Sequence, residues 1–225
     1  MDRWELLETG PVADTSGVME LWRRGREIAI RVDGRQLMSS LESGSEVALA
    51  DLACDRVGKR PAARLLIGGL GMGFTLAAAL KRLGPEAEIV LAELVACIVT
   101  WNEGPIGPVA GFPLRDPRVV LHRGDVADRI RAPGDGWDAV LLDVDNGPRA
   151  LTRNTNQWLY EWRGLEAAYA SLRPGGVLAV WSAAPDAGFT RRLGHAGFAV
   201  EEEEVRARGA KGGHRHHVWL ATRRS

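Results

Sequence analysis

The chain has 225 residues, of which 45% are hydrophobic and 26% charged, and it is long enough to bury a sizeable core as an ordinary soluble α/β domain. Lys+Arg and Asp+Glu both number 29, so no global basic field gathers nucleic acid, and no nucleic-acid partner is expected. No apolar run approaches the roughly 20 residues of a membrane helix, and the charged start Met1-Asp2-Arg3-Trp4-Glu5 has no apolar signal core, so the expectation is a cytoplasmic protein with no membrane partner. Cys54 and Cys97 stand in apolar contexts without CxxC spacing and read as buried small hydrophobes, not as a disulfide or a metal site.

Residues 1–42 read as a small N-terminal β region, a hairpin flap with strands at Val18–Trp22 and Glu27–Val32 around the turn Arg23–Arg26, then Asp33-Gly34 and a strand at Gln36–Ser39. Residues 43–225 read as an α/β domain. It opens with a helix over Ser43–Arg56, N-capped by Ser45. Strands are expected at Arg64–Gly68, Glu88–Ala92, Val119–His122, Ala139–Leu142 and Val177–Trp181. Helices are expected at Phe74–Leu83, Leu94–Asn102, Val126–Arg131, Trp158–Leu172 and Ala187–Ala196, with Pro174-Gly175-Gly176 ending the helix before it. Phe198–Ala207 and His217–Thr222 follow each other without a helix and are expected as antiparallel neighbours at one edge. Apolar strands alternating with helices imply a mostly parallel, Rossmann-like sheet of seven strands, covered on both faces and carrying an antiparallel edge strand.

Chemistry concentrates where these strands end. Leu65–Thr75 runs from strand through Gly69-Leu70-Gly71-Met72-Gly73 into a helix, so backbone N–H groups face a ligand that approaches without Cβ obstruction. Glu93, about twenty residues on at the end of the next strand, can accept from both ribose hydroxyls, with Leu94 beside it. The spacing is G-x-G-x-G, not the dinucleotide G-x-G-x-x-G, and resembles the S-adenosylmethionine-binding fold. Gly124-Asp125-Val126 then stands where an acid accepts from the adenine amino group, although Asp125 is equally placed to cap the helix after it. Asp143-Val144-Asp145-Asn146-Gly147-Pro148 leaves the carboxyl end of the fourth strand, where two acids can orient a cationic amine and take its proton.

Over nearly its whole length the chain resembles the spermidine synthase (polyamine aminopropyltransferase) superfamily. The matching segments are Asp33-Gly34-Arg35-Gln36 ("DGxxQ"), the glycine loop Ile67–Thr75, Asp116-Pro117-Arg118-Val119 with Gly124-Asp125 ("DPRV…GD"), the acidic loop Asp143–Pro148 ("DSxDPxGP"), and Leu151–Gly176 ("L…FY…LxxGG"). The resemblance implies that Gly69, Leu70, Gly71, Met72, Gly73, Glu93, Leu94, Gly124, Asp125, Val126 and Asp143 hold S-adenosylmethionine or its decarboxylated form, without a metal. It implies Asp143 and Asp145 as catalytic acids, and Gln36, Glu46, Asn146, Trp158 and Tyr160 on the acceptor side. It also implies a homodimer through the N-terminal β region.

The departures are specific. Met72 replaces an acid of the family's glycine loop, the family's Tyr-His-Glu is reduced to Ser45-Glu46, and the acidic loop is about two residues shorter, so that Asp145 or Asn146 takes the second acid's place. These losses favour methyl (or related) transfer from intact S-adenosylmethionine to a small acceptor such as an amine. The alternatives are aminopropyl transfer to a polyamine from the decarboxylated ligand, or a non-catalytic ligand-binding homologue. Trp101, Trp158, Tyr160 and Trp162 either wall an acceptor pocket or pack the core. Lys211, His214, Arg215, His216 and His217 read as a solvated basic hairpin tip, and Glu201–Glu204 as a solvated sheet edge.

Overall fold

The computed structural model describes residues 2–12, 17–144 and 157–224. Four antiparallel strands come first: β1 (Glu5–Pro11), β2 (Val18–Arg24), β3 (Glu27–Val32) and β4 (Arg35–Ser39), paired in that order. The hairpin read from the sequence is thus a four-stranded sheet. Its first strand has no clean alternation of buried and exposed residues and a register shift between Leu6 and Glu8, which is why the period-2 pattern did not reveal it. Met19, Leu21, Ile28 and Ile30 point from this sheet into the same apolar core as the rest of the chain.

The second sheet takes shape after α1 (Gly44–Val57): β5 (Arg64–Gly68), α2 (Phe74–Arg82), β6 (Glu88–Glu93), α3 (Ala96–Glu103), the short α4 (Gly107–Ala110), β7 (Val119–Arg123), α5 (Val126–Arg131), β8 (Trp137–Leu142), α6 (Gln157–Tyr160), α7 (Trp162–Ser171), β9 (Leu172–Ser182), α8 (Ala187–His195), β10 (Ala199–Arg206) and β11 (Arg215–Thr222). Strand order is β10-β11-β9-β8-β5-β6-β7. β9, β8, β5, β6 and β7 are parallel, and β11 runs antiparallel to both β9 and β10. The reversed strand therefore lies one place in from the edge, and β10 forms the edge itself. The β5 and β8 interiors are Val, Leu, Ile and Ala because both faces are covered. One core, with Leu49, Ala53, Leu76 and Val99, lies under α1, α2 and α3; the other, with Ile130, Leu165 and Phe189, lies under α5, α7 and α8.

Three local expectations change. Ser45 does not cap α1: Ser43 holds the cap position without a side-chain bond, and Ser45 lies buried inside the first turn. The helix expected over Trp158–Leu172 is broken at Glu161, whose extended backbone (φ −89°, ψ 166°) lets Leu159 and Tyr160 enter the core while Trp162 stays exposed. Pro174-Gly175-Gly176 does not precede the fifth strand but lies within β9, where pairing with β8 is irregular and a missing N–H costs no ladder bond. Among the described residues no helix is long and apolar enough to cross a membrane. Both cysteines are free, Cys54 buried and Cys97 half-buried.

Candidate active site

β5 ends at Gly68 and the chain must turn at once into α2. Gly69 makes the turn at φ +91°, and a side chain there would strike the Asp143 carbonyl oxygen at the end of neighbouring β8. The turn is braced from two sides. Glu93, buried at the end of β6, accepts from Leu70 N–H through Oε2 (2.8 Å) and from Val95 N–H through Oε1 (2.7 Å). Asn102 of α3 donates from Nδ2 to the Gly71 carbonyl (2.9 Å). Both Glu93 oxygens thus hold the loop, and the carboxylate sits at the β6 end beside the glycine turn. Leu94 is exposed next to it, an apolar surface beside the acid. The Met38 thioether of β4 lies over Gly71, which brings the N-terminal sheet onto the loop; Gln36 is exposed and, across a register shift, pairs with Arg31 where Met38 pairs with Ile30, so it faces the other side of the sheet and not the acceptor side read from the sequence.

Gly124 follows β7 and donates its N–H to the Glu93 carbonyl (3.0 Å), which sets Asp125 alongside the β6 terminus. Asp125 caps α5, its Oδ1 accepting from Ala127 N–H at 2.8 Å, and among the described residues Oδ2 is left for another donor. Val126 is buried against Gly68 and fastens α5 under the turn.

Asp143, at the carboxyl end of β8, accepts from the Thr75 hydroxyl (2.6 Å) in the first turn of α2. Loss of water raises its pKa to about 6 against the lowering effect of that bond. Glu46 comes from the first turn of α1 and is buried. Its pKa is raised to about 7, first by burial and then by the Asp143 charge, while the Ser45 hydroxyl bond opposes the shift. Two carboxyl groups from distant elements thus repel each other at one sheet edge. Near neutral pH such a pair readily retains a proton, accepts one, or binds a cationic amine between its members.

A third element closes this corner. Gly44 N–H donates to the Ala207 carbonyl (2.8 Å), and Gly44 lies so close to the Gly209 backbone that a side chain would strike its amide nitrogen. Arg208 pairs with Glu42 (3.1 Å). The β10–β11 hairpin is therefore clamped onto the start of α1. This brings His216 Nδ1 to 2.9 Å from Ser45 Oγ, which in turn donates to Glu46 Oε2 (2.7 Å). The His216 ring meets Trp181 edge to face at 4.8 Å between centroids. The Trp181 indole N–H is sealed from water and has no acceptor among the described residues. The solvated tip read from composition holds for Lys211, His214 and Arg215, which are exposed, whereas His216 and His217 are half-buried; His217 pairs with Glu202 (2.9 Å) and Arg215 with Glu204 (3.2 Å).

No family model matches the chain. Over 118 residues it is 36% identical to the spermidine synthase of Coffea arabica, an alignment that covers 51% of this chain and 34% of that protein, so it spans about a third of the curated relative. Solved structures align over 97% of it. A spermidine synthase in complex with the transition state analogue AdoDATO has a TM-score of 0.76 at 16% identity, with 72% of that chain covered. The spermidine synthase from Thermotoga maritima has 0.76 at 15%, also with 72% covered, and a probable spermidine synthase from Corynebacterium glutamicum 0.65 at 14%, with 79% covered. The chain has the spermidine synthase-like fold.

Within this spermidine synthase-like frame, the residues read from the sequence separate into groups. Gly69, Leu70, Gly71, Gly73, Glu93, Leu94, Gly124, Asp125 and Val126 come together around the β5 turn, and Asp143 stands beside it with Glu46 within reach of its charge. Met72 does not line that space: its side chain is buried in the core under α1 and α2. Trp158 and Tyr160 lie on the other face of the sheet, in the core under α5 and α7. Arg131 stacks over the Trp158 ring (3.9 Å), and the Tyr160 hydroxyl donates to the Val144 carbonyl (3.2 Å), bracing the chain just after Asp143. Trp101 is core as well. Asp145 and Asn146 lie outside the described residues. Ser45, Thr75 and His216 were missed as site residues. Thr75, at the third position after Gly71-Met72, was within reach of the helix-start argument; the other two join the site only through the clamp on α1. Among the described residues no three or more His, Cys, Asp or Glu side chains are arranged to hold a metal ion.

Proposed function

We propose that this chain transfers an aminopropyl group from decarboxylated S-adenosylmethionine to a small amine. The observation that carries the reading is the Glu46–Asp143 acid pair beside the glycine turn. A sulfonium donor with an amine tail and an amine acceptor both bring positive charge to this edge, and the site offers them carboxylates. The preference for methyl transfer rested on missing polyamine acids. Glu46, the remnant of that segment, lies within electrostatic reach of Asp143 and supplies one of them, so aminopropyl transfer fits better.

The chain's residues divide the work. Glu93 orients the ribose diol and Asp125 the adenine amino group, while the Gly69–Gly73 backbone leaves room for the sulfur and its substituents. The donor supplies a carbon activated by its sulfonium leaving group. Asp143 and Glu46 orient the acceptor and take one proton from it, so that its nitrogen lone pair forms the new C–N bond as the C–S pair withdraws to sulfur. Thr75 keeps Asp143 aimed along β8.

The test is product analysis of purified protein given decarboxylated S-adenosylmethionine with putrescine and other amines, and intact S-adenosylmethionine in parallel. Aminopropylated amine is expected, with kcat reduced about 100-fold or more in Asp143→Asn. Methylated product from the intact donor alone would move the assignment to methyl transfer. Absence of any product would reject the transferase reading.

A further inference from the structure

This inference rests on the reading just given and concerns the fate of the acceptor's proton. An alkylamine is protonated near neutral pH and must lose a proton to attack. Glu46 and Asp143 can receive it; Asp143 is half-buried, but Glu46 is buried and must pass its proton on before another turnover. From Glu46 a continuous hydrogen-bonded chain leads away from the sheet edge: Oε2, the Ser45 hydroxyl at 2.7 Å, and His216 Nδ1 a further 2.9 Å on.

We propose that Ser45 and His216 are positioning residues for Glu46, and that together they carry the acceptor's proton from its carboxyl group out to solvent.

The chain satisfies every member in either direction. With Glu46 ionised, His216 donates Nδ1–H to Ser45, which donates to Glu46. With Glu46 protonated, its hydroxyl donates to Ser45 and Ser45 to a bare Nδ1. When Ser45 gives its proton to Nδ1 it takes the one on Glu46, and Nε2 of the resulting imidazolium releases one to water, so a single proton leaves and the serine is regenerated. His216 is only half-buried, and Nε2 is not among the sealed unpartnered atoms. The charges facing this corner are His214 and His217 on β11 and its approach, Glu42 before α1, and Asp143 at the end of β8; β9 contributes the uncharged Trp181. Burial and the neighbouring histidines hold His216 below the ordinary imidazole value, so it returns to the neutral form after each transfer. Ser45 is 1% exposed, which leaves it no other outlet.

Three variants test the relay, His216→Ala serving for rescue by added imidazole. His216→Asn keeps an N–H donor for Ser45 but cannot accept a proton; Ser45→Ala breaks the chain in its middle. In ligand-free protein the Glu46 carboxyl signal is titrated by infrared difference spectroscopy, and in turnover the kcat–pH profile is recorded. We expect the Glu46 midpoint to move in His216→Asn and in Ser45→Ala. We also expect kcat to fall about tenfold or more, with donor KM unchanged, and added imidazole to restore part of it in His216→Ala. A wild-type titration and a wild-type kcat–pH profile in both His216→Asn and Ser45→Ala would overturn the proposal. A wild-type kcat–pH profile in His216→Asn alone would also overturn it, because a donor of fixed structure would then suffice. If the wild-type chain turns over no donor, the transferase reading fails by itself. The ligand-free titration then still decides the relay: an unmoved Glu46 midpoint overturns it and a moved one supports it.

Discussion

Replacing Glu46 by Gln keeps the acceptor for the Ser45 hydroxyl and removes the buried member of a like-charge pair, so its effect is a pH dependence. The Glu46 pKa is 4.5 in the unfolded chain and about 7 in the folded one. Between those values the unfolded chain has released a proton that the folded chain keeps. Unfolding stability therefore falls as pH rises from about 4.5 through 7 and levels off above. A gap of ~2.5 pH units corresponds to about 3 kcal/mol at ~1.4 kcal/mol per unit. Asp143, raised from 3.8 to about 6, adds a loss of the same sign at lower pH. His216 acts oppositely, since its lowered pKa gives stability that is present above the unfolded value and lost as pH falls. The informative quantity is thus the difference between wild type and Glu46→Gln, in which the histidine contribution cancels to first order. Urea denaturation from pH 5 to pH 9 measures it. Glu46→Gln should gain on wild type by about 3 kcal/mol across that range, most of it between pH 5 and 8. Parallel curves would refute the claim that Glu46 is buried within reach of the Asp143 charge.

Two further substitutions probe the frame around the site. Asp138 is 1% exposed near the amino end of β8 and binds Arg60, Arg173 (2.9 Å) and the Arg64 N–H (2.8 Å); Asp138→Asn should cost about 3 kcal/mol, lowering the melting temperature by roughly 8 °C, while kcat per folded molecule holds. Gly69→Ala places a methyl group against the Asp143 carbonyl at φ +91°, so calorimetric titration should show loss of adenosyl-ligand binding of at least tenfold, with Gly58→Ala as a control at a positive φ with open space around it.

What the sequence by itself determined is the part of the molecule built from neighbours in the chain. The all-apolar runs of β5 and β8, the glycine turn into α2, the acid ending β6 and the Asp125 cap of α5 follow from side-chain period, backbone permissiveness and hydrogen bonds spanning a few residues. The family likeness extended this to strand content and to the Asp143 edge. The position of β1 stayed hidden, because an exposed edge strand needs no regular alternation. The direction in which Met72 points, and the packing of Tyr160 beneath the sheet end, also depend on which face of the sheet each side chain meets. Tertiary structure alone decided the corner where Glu46, Asp143 and His216 converge. Glu46 and Asp143 belong to different elements and are coupled only through space, and Ser45 and His216 are 171 positions apart. What joins them is the close approach of Gly44 to Gly209, a contact between backbones that leaves no periodic mark in the chain. A buried carboxyl acquires its chemistry from the charge and water around it, and those are set by whatever the fold places alongside.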